Sequence, residues 1–445
     1  MKQTQTLDRK ITLGMLTRFS LPTILSTVLM GIYWSVDGIF VSRLIGTDAL
    51  SAINIVMPII TFSLAIGNMF GAGGNALIAK KIGEGKVQEA RQNFTLLNMV
   101  ALLLSAFLSV LGLIFLNPLL KVLGADESLM GYCRDYAIPI LTLIPVTITG
   151  TIFQMSFITV GKPKLGLLVS LIGGVTNIVL DYLFMAVLDM GIMGAAVATT
   201  IGYSVPSVAG LVYFLAMRNG SLYLVKPRFD AAVLWKTCTN GASEMVTSLS
   251  SGVVAIILNN ILMRIGGADG VASITIILYV QGILASVYFG YASGISPIIS
   301  YNQGKGDIGR LKSIYSISLK AIMTASIATF IASILFAGPL VSIFAEKGST
   351  VYQMAVEGYR IFSISVLFMG LNVFSSAWFT ALNDGKVSAI LALFRTFIFI
   401  VATASLLPVF LGISGVWLSK PLAEILAACM TIYYFKKMKN VYQYA

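Results

Sequence analysis

The chain contains no histidine, which removes haem ligation by imidazole, histidine proton relays and the commonest metal ligand. Its three cysteines, Cys133, Cys238 and Cys429, are scattered without metal-ligand spacing, so neither a disulfide framework nor a zinc site is expected. No GxxxxGK[ST] run occurs, which argues against ATP as an energy source. Charge is scarcest of all: 11% of the 445 residues are charged, whereas 57% are hydrophobic. An ordinary soluble domain is about one-quarter charged, so lipid is the expected solvent. At roughly 20 residues per crossing, the length accommodates about a dozen spans and little else, and any function is expected between helices. The polar start MKQTQTLDRK leads into the first span without a small-residue cleavage site, so no removable signal peptide is expected.

What is present is a succession of apolar runs separated by short turns rich in Gly, Lys, Asp and Asn. The spacing predicts spans at about 17–41, 51–78, 93–117, 135–160, 165–188, 193–217, 236–264, 271–300, 314–337, 357–381, 387–410 and 415–435. Prolines 22, 58, 139, 145, 206, 297, 408 and 421 fall within them as candidate bends. On this topology 21 of the 30 Lys and Arg lie on the side of the termini and only six opposite. The positive-inside rule then makes both termini cytoplasmic in a multi-pass cell-membrane protein. The net charge of +12 reflects orientation, and no nucleic-acid partner is needed.

The two halves resemble each other at a fixed offset. Gly73, Gly83 and Gly85 map onto Gly294, Gly304 and Gly306, and Gly191 and Gly194 onto Gly412 and Gly415, all 221 residues later; Gly161–Lys162 corresponds to Gly385–Lys386 at an offset of 224. Six spans per half make the repeats parallel, with their axis along the membrane normal, as in transporters whose substrate lies between two rocking lobes. The expected fold class is therefore an all-α integral membrane protein, with twelve helices in two six-helix lobes around a central cleft. The expected organisation is an N-terminal lobe over 1–217, a cytoplasmic linker over 218–235 and a C-terminal lobe over 236–445.

Four acids fall inside spans: Asp37, Asp181, Glu244 and Glu424. A central Asp costs about 2.5–3.5 kcal/mol on insertion scales, so each is a functional candidate. Asp37 and Asp181 both lie roughly 8–10 Å below the outer surface at 1.5 Å per residue, and Asn177 shares the face of Asp181 one turn away. Thr199 has similar depth on the sixth span. This oxygen-rich cluster suits a sodium ion, in which case Asp37 and Asp181 are its metal ligands, or a proton held on a carboxylate. The bland reading is hydrogen-bonded acids that never titrate. Glu244 and Arg395 have equal depth, which permits either a buried pair or an exposed carboxylate that attracts cationic substrate. Lys420 and Glu424 stand one turn apart and suit an intrahelical pair. Gln281, Asn259 and Asn260 suit interhelical glue or cavity lining, with glue favoured. The 19 Met and 25 Phe suit a cavity for apolar cations of varied shape, although most such side chains face lipid or other helices. Tyr433, Tyr434 and Tyr442 read as an interfacial belt.

The segments VDGIFVSRLIGTDALSAINIVMPI, NIVLD, GIMGAAVATT and GISGVWLSKPLAEILA, with the length, the twelve spans and the repeat, resemble the multidrug and toxic compound extrusion (MATE) family over essentially the whole chain. The resemblance implies secondary antiport: export of organic cations or other toxic compounds by a monomer, driven by inward proton or sodium flow, with no cofactor and no enzymatic reaction. Family members use an aspartate in span 1, an asparagine and an aspartate in span 5 and a threonine in span 6, matched here by Asp37, Asn177, Asp181 and Thr199. An acid in span 7 is matched by Glu244, which with Gln281 and Arg395 is the expected wall of the substrate cavity. Members with a sodium site in the second lobe add an aspartate in span 10, which this chain lacks at mid-depth. The alternative reading is a flippase of lipid-linked or polysaccharide precursors from the same broad superfamily, which would be expected to carry a strongly cationic cleft. An intramembrane enzyme would need a nucleophile–base or metal constellation that the residues do not offer.

Overall fold

The computed structural model describes residues 7–445, apart from the side chains at 32, 34–39, 42, 43 and 47. Ten helices among the described residues are long and apolar enough to cross a bilayer, and the pair Met130–Thr142 and Ile144–Thr159, bent by 52°, makes an eleventh crossing. The twelfth lies inside the 75-residue helix Ala231–Lys305, which would measure about 110 Å if straight, against a hydrocarbon core of about 30 Å. It breaks at Gly267, whose φ of 59° and ψ of −153° suit a residue without a Cβ.

The crossings are α1 (Leu13–Leu44), α2 (Thr47–Gly83), α3 (Val87–Ile114), α4 (the bent pair), α5 (Pro163–Asp181 with a π-turn at Tyr182–Val187) and α6 (Gly191–Ala216). After the connection comes the second set: α7 (231–266), α8 (268–305), α9 (Ile308–Leu335), α10 (Thr350–Phe362 and Val366–Ala381, joined by a 3-10 turn), α11 (Gly385–Leu411 with a π-turn at Phe394–Ile398) and α12 (Ile413–Tyr442). Of the prolines expected to bend spans, Pro145 stands where α4 starts anew, while α1 runs as helix through Pro22. Pro145 lacks the N–H that would continue the ladder.

Left-handed glycines recur at the predicted repeat: Gly46 and Gly267, Gly85 and Gly306, and Gly191 and Gly412 all have positive φ and are 221 residues apart. The turn before α5 departs from the sequence alignment. Gly161 (φ 75°) has its counterpart in Asn383 (φ 58°), an offset of 222, whereas Gly385 already opens α11. The position demands a left-handed residue just after a helix, a role asparagine tolerates. The connection between the halves is tied down: Arg91 donates to the carbonyls of Gly220 and Ser221, each at 3.1 Å, and lies over the Tyr223 ring. Asp230 then caps α7 through the amides of Ala232 and Val233, so the helix begins five residues before the predicted span.

At the end that carries the termini, the halves meet backbone to backbone. A Cβ on Gly83 would strike the Tyr301 carbonyl oxygen, and one on Gly304 would strike that of Lys80; both pairs are related by the 221-residue repeat. Asn240 of α7 donates to the Thr380 carbonyl at 2.9 Å and reaches the Gly73 carbonyl at 3.4 Å, joining α2, α7 and α10. Leu7–Arg9 is held across the same end, because Arg310 donates to the carbonyls of all three residues and Lys305 pairs with Asp8 at 2.8 Å. Nearer the opposite end the polar side chains of Asn54, Asn259, Asn260 and Thr275 are exposed. Polar groups at membrane depth are tolerated beside water rather than lipid, so these face a cleft. Asn259 and Asn260, expected as interhelical glue or cavity lining, are both exposed.

Candidate functional site

In the first half, α1, α5 and α6 converge because two glycines remove the side chains between them. A Cβ on Gly174 would overlap the Tyr33 ring of α1, and one on Gly202 would stand 2.9 Å from the Asn177 Cβ. The space left is a cavity of about 100 Å³ lined by Asn177, Thr199, Tyr33, Gln154, Ser170 and Tyr203 among others. Asn177 Nδ2 and Thr199 Oγ1 are buried there without a hydrogen-bond partner among the described residues. A buried unpaired donor or hydroxyl costs about 1–3 kcal/mol, so the cavity is built for something polar. Asp181 is fully buried, one helical turn beyond Asn177, and immediately precedes the π-turn Tyr182–Val187. Of the predicted cluster, Asn177 and Thr199 share one cavity and Asp181 lies next to it along α5. Asp37 belongs to α1, but its side chain lies outside the described residues.

In the second half, Glu244 lines a smaller cavity of about 40 Å³ where the halves meet, with Asn75, Thr159, Ser293, Ser296 and Thr380. Its walls come from α2, α4, α7, α8 and α10. Arg395 is 5% exposed, lies within the π-turn of α11 and stacks its guanidinium carbon 5.7 Å from the Phe289 ring. Among the described residues no carboxylate stands within 4.0 Å of Arg395, so the direct Glu244–Arg395 pair permitted by equal depth does not form. Gln281 lines none of these cavities: its Nε2 donates to Ser365 Oγ at 2.7 Å, pinning α8 to the 3-10 turn of α10. That corrects its expected place in the substrate wall, since the turn exposes a hydroxyl that a long amide side chain reaches from the next helix.

Lys420 and Glu424 do pair, at 2.9 Å, with Glu424 1% exposed. Asn372 of α10 donates to the other carboxylate oxygen and to the Glu424 carbonyl, and Thr431 donates to Asn372 Oδ1 at 3.1 Å. Asn372 was not singled out from the sequence, where an amide among apolar residues gives no depth signal. The π-turns were also missed. They occupy the equivalent helices α5 and α11; the first follows buried Asp181 and the second contains buried Arg395. Such bulges concentrate at functional positions because they leave backbone groups unpaired.

Two parallel six-helix sets, closed at one end and cleft at the other, with polar cavities at helix junctions and buried charges, define a membrane transporter. The family model MatE matches residues 22–183 and 245–406, one match per repeat. The chain belongs to this family, MATE, a family of efflux transporters rather than enzymes. It is 24% identical over 429 residues to the multidrug export protein MepA of Staphylococcus saprophyticus, covering 95% of this chain and 94% of that one. In fold it is similar to an outward-facing multidrug resistance MATE transporter of the MOP superfamily, with a TM-score of 0.93, 22% identity and coverage of 100% and 99%. It is also similar to a Pyrococcus furiosus MOP-superfamily transporter whose description speaks of a binding pocket of reversed polarity and a different function, with a TM-score of 0.92, 22% identity and the same coverage.

Proposed function

We propose that the protein exports organic cations or related toxic compounds in exchange for inward protons or sodium ions, by alternating access between two lobes, 1–217 and 236–445. The cluster in the first lobe loads the coupling ion: Asp37 and Asp181 supply the carboxylates, and Asn177 and Thr199 supply neutral oxygens. The observation that carries this reading is the cavity in which the Thr199 hydroxyl has no partner among the described residues, beside Asn177 and one helical turn from fully buried Asp181. With both termini cytoplasmic, the sealed end faces the cytoplasm and the cleft faces outward. An ion entering the cleft reaches α1 and α5, which pack side by side. Neutralising their acids removes the penalty for dehydrating that wall, and the lobe closes onto the ion and releases the substrate.

Purified protein in liposomes, loaded with a fluorescent organic cation, tests this under an imposed sodium or pH gradient. One gradient should drive efflux, and Asp37→Asn and Asp181→Asn should each abolish it while the protein stays folded. Wild-type efflux by either variant, or no response to either gradient, contradicts the proposal; in the second case a flippase becomes the better reading.

A further inference from the structure

At the sealed end, the starts of α1 and α5 stand side by side and flank an open cavity of about 830 Å³. Five cations line it, Arg9, Lys10, Arg18, Lys162 and Lys164, and no acid does. Among the described residues none of the five has an ion-pair partner within 4.0 Å. Lys162 lies 5.0 Å from the Tyr213 ring centroid, and Arg310 holds the backbone carbonyl of Arg9, so one cation and the backbone that carries another are held in place. Both helices point their amino-terminal ends into the cavity, and α5 has no side-chain cap. The partial positive charge of each end adds to that of the side chains.

Arg9, Lys10, Arg18 and Lys164 are exposed and Lys162 is half-buried; converging without an acid, they make a strongly positive site that attracts an anion. Three features specify that anion. The charge calls for a phosphate ester. Met15, Phe19 and Leu165 also line the cavity, so the ligand is apolar at one end. The apolar stretches of both helices begin at Leu13 and Pro163, which places the cavity at headgroup level.

We propose that this cavity binds the phosphodiester headgroup of an anionic lipid, which clamps the start of α1 to that of α5. The claim is independent of the transported substrate and of the coupling ion. The test uses full-length protein in mixed micelles and in nanodiscs, with phosphatidylglycerol, phosphatidylcholine and inorganic phosphate as probes. Binding is followed by native mass spectrometry, and the thermal midpoint by tryptophan fluorescence. Phosphatidylglycerol should bind in preference to phosphatidylcholine, and Arg18→Gln and Lys164→Gln should each weaken it about fivefold. The triple variant Lys226→Gln/Arg228→Gln/Lys236→Gln, which removes exposed cations elsewhere on the same end, should bind as the wild type does and checks that the effect is local. Undiminished phosphatidylglycerol binding in the Arg18→Gln/Lys164→Gln double variant overturns the proposal, as does an equal loss in the triple variant. Inorganic phosphate binding as tightly as phosphatidylglycerol overturns the lipid assignment.

Discussion

At the scale of single residues, the interior contains two kinds of buried charge. Glu424 is satisfied by Lys420, Asn372 and its own helix, and behaves as a structural group. Replacing Lys420 by Ala leaves that carboxylate uncompensated, at a cost of about 3 kcal/mol for a partly exposed partner of a buried pair. Thermal unfolding in detergent should show the midpoint fall by several degrees, and Lys420→Met/Glu424→Met should recover most of it. Asp181 is fully buried next to a cavity in which the Thr199 hydroxyl has no partner among the described residues. Asn177→Ala and Thr199→Ala should lower coupling-ion affinity by about one to two orders of magnitude with little change in thermal midpoint, measured by ion titration of transport rate. That Asn177 and Thr199 share a cavity with Asp181 one turn away was legible in the sequence because polar groups are costly in lipid and their depth can be counted, whereas the Asp37 side chain lies outside the described residues. Glu244, Arg395 and Gln281 were legible as residues but not as neighbours, since equal depth says nothing about rotation around the helix axis.

At the scale of elements, periodicity and length located every crossing, and the glycine turns located the repeat. Helix ends were less legible. The turn at Asn383 was misaligned because asparagine takes the place of glycine in a left-handed position. Tyr442, expected in an interfacial belt, instead donates to Asp384 Oδ2 at 3.0 Å, while Tyr433 is exposed as expected. Next to it Tyr444 is fully buried against Tyr315 and Trp378, with its hydroxyl on the Phe435 carbonyl. Burial holds its phenol well above the ordinary value. Tyr444→Ala should cost about 3 kcal/mol by opening this aromatic cluster, visible as a lower thermal midpoint. The meeting of α2 and α8 depends on two glycines. Gly83→Ala should force a methyl onto a carbonyl, destabilise the sealed end by about 1–3 kcal/mol and slow transport, whereas Gly85→Ala tests only the strain of the neighbouring turn.

At the scale of the whole molecule, the repeat places one seam and one cleft on the same axis. The seam closes through Gly83 with Tyr301 and Gly304 with Lys80, and the strap of residues 7–9 crosses it. Arg310→Gln should loosen that strap and raise the rate at which the sealed end opens. Cysteines placed at Asn54 and Asn259, in a background with Cys133, Cys238 and Cys429 replaced by Ser, should react with an impermeant maleimide added outside cells. Protection of both contradicts an outward cleft. The central claim is that the acids of the first half bind the coupling ion in exchange with substrate. The most direct measurement is ion release on adding an organic cation to purified, weakly buffered protein, followed by a pH electrode and a sodium electrode. The account predicts release of about one ion per protein, lost in Asp181→Asn although the cation still binds. Equal release from Asp181→Asn, or cation binding with no release from the wild type, contradicts it.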